Sequence, residues 1–198
     1  MGLDEFVTPE GFARDFFEMA DAVPLPFDPQ EKGTRWFEGR MQAVAKKHGL
    51  HCQNLTNGGE WMTVDHVFVE GNNYVNFPLV AVEHENGDIS KSAKRGELPV
   101  AGKDAANIEW ACWKALAMRS HLSVLVAYPW AKDKEKTLKV LASIVDGARR
   151  TYGSMPQVLF LLGWWPRAKD ADARKFYEAF KAVEVNGGVK LEQFSASS

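Results

Sequence analysis

Three carboxylates stand where a protein core does not tolerate lone charges. Asp65 lies in the run TVDHVFV at residues 63–69, and Glu83 and Glu85 lie in LVAVEHENG at residues 79–87. Burying such groups among apolar residues is costly unless their charge is offset. If residues 74–85 form a strand, Leu79, Ala81, Glu83 and Glu85 point to one face and Val80, Val82 and His84 to the other. Glu83 and Glu85 are then neighbours, roughly 6–7 Å apart along the strand. A hairpin with the preceding strand can bring Asp65 beside Glu83. Carboxylates converging on one spot repel one another, and a divalent cation that prefers oxygen ligands, Mg²⁺ or Mn²⁺, relieves the repulsion. Two simpler arrangements stay open. Glu83 and Glu85 could be strand-end acids paired with Lys91, Lys94 or Arg95, and Asp65 could be a buried acid bonded to backbone N–H groups. His66 and His84 each adjoin an acid in sequence, but alternation sends both to the opposite face, which points to a structural part.

The elements that must position these acids are legible from periodicity and punctuation. Thr8-Pro9 reads as an N-cap and first helical residue, followed by Phe12, Phe16, Met19 and Val23 at helical spacing. Residues 24–29 (PLPFDP) break that helix, and a second is expected over 32–47, with Phe37, Met41 and Val44 on one stripe. Strands follow at 50–56, 61–70 and 74–85, separated by Asn57-Gly58-Gly59 and Gly71-Asn72-Asn73, as an antiparallel meander. A polar loop at 89–103 leads to a helix over 104–121, with Asp104 as N-cap. The apolar runs 122–128 and 157–165 read as strands buried on both faces, with an amphipathic helix at 133–152 between them. A helix over 170–183, carrying Phe176 and Phe180, and an edge strand at 189–194 complete the chain. The order α-α-β-β-β-α-β-α-β-α-(β) describes an α/β fold, a mixed sheet flanked by helices.

Composition narrows the class of protein. The 198 residues are 45% hydrophobic and 25% charged, and are expected to form a single domain. No apolar run approaches the ~18 residues of a membrane span. No basic stretch followed by an apolar one opens the chain, so a cytoplasmic protein is expected, with no membrane partner. Cys52 and Cys112 then read as reduced thiols, and no second ligand pair joins Cys52, His48 and His51 into a zinc pattern. The net charge of -2 argues against indiscriminate coating of nucleic acid but leaves room for a local basic patch.

An acid in one strand, acid-X-acid at the end of the next, then a helix and a buried strand, resembles the PD-(D/E)XK nuclease superfamily and its restriction-endonuclease-like fold. The resemblance runs over residues 31–165 as an αβββαβ core, with 1–30 as a helical extension and 166–198 as a C-terminal helix and edge strand. It implies metal-dependent hydrolysis of a phosphodiester in nucleic acid, DNA in preference to RNA. Asp65 and Glu83 would hold Mg²⁺ or Mn²⁺ with the main-chain carbonyl of His84, and Glu38 or Glu31 would complete the set. Glu85 stands where the commonest form of the family has lysine. It, or a lysine displaced to another element, with Lys114 in IEWACWKAL the candidate besides Lys91 and Lys94, would orient or deprotonate the attacking water. The family's duplex cutters commonly dimerise, so a homodimer is a further expectation. Lys91, Lys94, Arg95 and Lys103 are the candidate phosphate contacts. Glu109 reads as the polar face of its helix. Trp110 and Trp113 could stack on bases but suit packing better. The departure at Glu85 leaves a second expectation, a catalytically inactive descendant that binds nucleic acid or protein.

Overall fold

Alternating and continuous apolar runs dictate a sheet with helices on both sides, and the computed structural model shows one. It describes residues 2–21, 31–54, 64–71, 76–94, 108–166 and 176–196. Three helices come first: α1 (Leu3–Phe6), α2 (Pro9–Asp21) and α3 (Glu31–Lys47). Then come β1 (His51–Asn54), β2 (His66–Val69), β3 (Val80–Glu85), a single turn α4 (Lys91–Lys94), α5 (Ile108–Ala117) and β4 (Leu122–Ala127). After a 3-10 turn at Ala131–Asp133, α6 (Lys134–Tyr152), β5 (Val158–Gly163), β6 (Tyr177–Val185) and β7 (Gly188–Phe194) complete it.

The seven strands form one mixed sheet in chain order, β1 to β7. Strands β1 to β3 are the expected antiparallel meander. Strands β3, β4 and β5 run parallel, and β5, β6 and β7 are antiparallel. Both β4 and β5 are buried along their whole length, which is why their sequences do not alternate. Val80, Val82, Val124, Val126, Leu159 and Leu161 face the layer of α1, α2 and α3. Leu125, Ala127, Phe160 and Leu162 face α5 and α6.

The N-terminal layer is anchored by its own polar bonds. The Thr8 hydroxyl caps α2 by accepting from the Gly11 amide at 3.1 Å, as its sequence position suggested. Asp15, fully buried on α2, pairs with His48 Nε2 at 2.5 Å and accepts from Lys47 Nζ at 2.9 Å. Phe6 stacks on the His48 ring, so α1, α2 and the end of α3 are tied together.

One expected element, the helix over 170–183, is overturned at 177–183. Phe176 is helical and 170–175 lie outside the described residues, but Tyr177–Val185 is strand β6, paired with β5 so that Phe180 lies opposite Phe160. Phe180 read as a continuation of the helix because both faces of β6 are covered. Tyr177 and Ala179 pack toward α2 and α3, while Phe180 and Ala182 pack toward α6. Asn186 and Gly187, both at positive φ (52° and 78°), turn the chain into β7, a two-residue hairpin signal. Residues 89–103, read as loop, contain the α4 turn. The start of the expected helix at 104–107 lies outside the described residues. Among the described residues no helix is long and apolar enough to cross a membrane.

Phe160 is fully buried at the centre of β5. Phe160→Ala is expected to lower the unfolding free energy by about 3–5 kcal/mol, measured by urea denaturation followed by circular dichroism.

Candidate functional site

The β2–β3 register sets the first half of the site. His66 lies opposite Val82 and Val67 opposite Ala81, so continuing the pairing places Asp65 opposite Glu83. An Asp65 carboxylate oxygen accepts a hydrogen bond from the His84 amide at 2.8 Å. A strand residue's amide and carbonyl leave on the same edge, so the His84 carbonyl faces the Asp65 side as well.

Helix α5, the crossover between β3 and β4, supplies the second half. Lys114 Nζ reaches Glu83 Oε2 at 2.8 Å. Glu83 is buried, and its other oxygen, Oε1, has no hydrogen-bond partner among the described residues. Burial pushes the Glu83 carboxyl up, and the Asp65 charge pushes it further, to about 8. The Lys114 ammonium pulls the other way without prevailing, and Glu85 adds a smaller upward push. Glu83 is thus a carboxyl poised to exchange its proton near neutrality, with two carboxylates and one ammonium acting on it.

Glu85 is half-buried at the end of β3, and its Oε1 accepts from the Gly87 amide at 2.6 Å, closing the turn that leaves the strand. Glu38 lies on α3, and its charge acts on Cys52, whose thiol is pushed up to about 12, chiefly by burial. The charges that act on Glu83 come from Asp65, Lys114 and Glu85, and Glu38 is not among them. The Glu31 side chain lies outside the described residues, although its backbone opens α3. Lys91 is exposed at the start of α4. Lys94 is held by Asp88 at 2.5 Å and lies 3.8 Å from Asp133. Arg95 and Lys103 lie outside the described residues.

The histidines take the face that alternation assigned them. The His84 ring stacks on Phe37 with centroids 4.2 Å apart, and its Nε2 is 2.8 Å from the Tyr128 hydroxyl. That hydroxyl lies 2.7 Å from the Tyr177 hydroxyl. Burial lowers His66 to about 4, and burial with the neighbouring His66 lowers His84 to about 3, so both are neutral at physiological pH. They are core groups behind the acids.

Helix α5 departs from its sequence reading. Glu109 is buried rather than solvated, and it accepts from the Ser90 amide at 2.9 Å, pinning the segment that leaves β3 to the first turn of α5. Trp110 and Trp113, read as packing residues, are 45% and 54% exposed. The spacing of Glu109 with Cys112 and Leu116 carried this orientation, but the helix is apolar almost all round and the neighbouring stripe of tryptophans outweighed it.

Among the described residues no group of three or more His, Cys, Asp and Glu side chains is arranged to hold a metal ion. No protein-family model matches the chain, and neither does any curated protein or solved structure.

Glu83 holds its proton more tightly in the folded chain than at its ordinary value of 4.5. Its contribution to stability is therefore full below that value and is lost as pH rises through about 8. Glu83→Gln is expected to gain stability relative to wild type as pH rises across that window, read from urea unfolding at a series of pH values. Lys114→Met should move the carboxyl higher still, visible by carbon NMR titration of the labelled glutamate.

Proposed function

We propose that the chain is a metal-dependent phosphodiester hydrolase with a restriction-endonuclease-like core, acting on nucleic acid, DNA in preference to RNA. The observation that carries this reading is the convergence of Asp65, Glu83 and Lys114 from three different elements on one end of β3. The order α3, β1, β2, β3, α5, β4, with β3 and β4 parallel, is the αβββαβ order such a core has.

The residues fit a hard divalent cation, Mg²⁺ or Mn²⁺. Glu83 Oε1 is a buried oxygen with no hydrogen-bond partner among the described residues, and the Asp65 carboxylate stands opposite it in register. Magnesium is commonly held by only one or two carboxylates with waters and substrate phosphates, so a three-residue cage is not required. Asp65 and Glu83 would hold the ion, with the His84 carbonyl as a further oxygen. When bound, such an ion polarises a phosphodiester and lowers the pKa of a water. Lys114 orients the attacking water or donates to a phosphate oxygen. Glu85, beside Glu83 on the same face, is the alternative base. The exposed Lys91 is a backbone-phosphate contact, whereas Lys94 already has carboxylate partners.

A second reading, a non-catalytic binding or interaction module on the same scaffold, is favoured by one observation: Lys114 already occupies one Glu83 oxygen as a partner.

Calorimetry with Mg²⁺ and Mn²⁺, beside plasmid nicking, separates the two. Wild type should bind metal and nick DNA, and Glu83→Ala should do neither. Lys114→Met should keep metal binding while nicking falls about 10²-fold or more. No metal heat in wild type, with or without DNA, overturns the hydrolase reading in favour of the module.

A further inference from the structure

Helix α5 turns two large aromatic residues to solvent beside the acid site. Trp110 and Trp113, one helical turn apart, lie parallel, with ring centroids 5.0 Å apart and planes 8° from each other. Exposing two indoles forfeits hydrophobic stabilisation that burial would have provided. The outward stripe of α5 is Trp110, Trp113 and Ala117, and Lys114, which reaches Glu83, flanks it. The sole carboxylate of the helix, Glu109, is turned inward. Through its hold on the Ser90 amide, Glu109 also ties the segment that leads into the exposed Lys91 to the first turn of α5. The surface is therefore aromatic, edged with cations and free of outward acids along α5. Its chemical complement is planar, aromatic and anionic.

We propose that Trp110 and Trp113 form a stacking platform for unpaired bases, so that the strand led to the acid site is single-stranded. This rests on the hydrolase reading above for its purpose, though not for its binding. Every base has a face that stacks on an indole, and only an unpaired base can offer that face to a protein side chain without first being pulled from a duplex. Lys114 and Lys91 then meet the phosphates on either side of the stacked base, and the phosphodiester beside it is carried toward Glu83.

Anisotropy of a fluorescein-labelled oligothymidylate and of a labelled hairpin duplex, both in EDTA, tests the platform without cleavage. Wild type should bind the single strand. The pair Trp110→Ala with Trp113→Ala should weaken that binding at least about tenfold, the pair Trp110→Phe with Trp113→Phe should keep most of it, and hairpin binding should change little. Because both rings are exposed, the variants should fold, which circular dichroism checks. Wild-type affinity for oligothymidylate in the alanine pair, an equal loss on the hairpin, or no binding by wild type overturns the platform. So does a change of sedimentation from dimer to monomer at unchanged affinity, which would make the rings a self-interface. Ring-dependent binding in a protein that fails to cleave supports the platform and sinks only the hydrolase. Glu83-dependent cleavage with ring-independent binding does the reverse.

Discussion

A carboxyl buried in a sheet needs a polar partner, and here that partner is delivered by the very helix that makes the crossover. Lys114 reaches Glu83 only because β3 and β4 are parallel, which forces a helix to pass over the sheet between them. The pair thus depends on the topology, and the topology on the continuous apolar runs of β4 and β5. Burial of such a pair is weak evidence for stability on its own, since desolvation can exceed the attraction. A Glu83 oxygen with no hydrogen-bond partner among the described residues is a cost that a purely structural pair would not need to carry.

Opposite faces of β3 divide the labour. Glu83 faces the α5 side with charge around it, whereas His84 is held in place by Phe37 and a chain of two tyrosine hydroxyls. The N-terminal helices therefore bear on the site through packing. The Asp15–His48 pair fixes α2 against α3, α3 holds Phe37, and Phe37 braces the strand that presents the acids. Glu109 performs the matching service on the other side by tying down the segment after β3.

Much of this was legible in the sequence where a single face is buried. The pleat put Asp65 opposite Glu83 and the two histidines behind them, and the structure has them so. Legibility failed where both faces or all sides are apolar. Tyr177 and Phe180 of β6 pack in opposite directions, so the strand shows no alternation and Phe180 read as the next turn of a helix begun before it. Helix α5 has too little polarity to declare its inner side, so Glu109 and the tryptophans were exchanged. The reach of Lys114 was not legible from periodicity at all. It was suggested by the resemblance to a nuclease family, and its contact is a tertiary matter.

The order of the strands has a kinetic consequence. Each strand's neighbours in the sheet are its neighbours in the sequence, so no strand waits for a partner made much later. Loop closures stay short for an α/β sheet of this width, and their entropic cost is met in small steps. Asp65, Glu83 and Lys114 all precede β4, so their juxtaposition is complete once that strand docks on β3. The β6–β7 hairpin extends the sheet from its far side, and the acid cluster gains its shape without waiting for it.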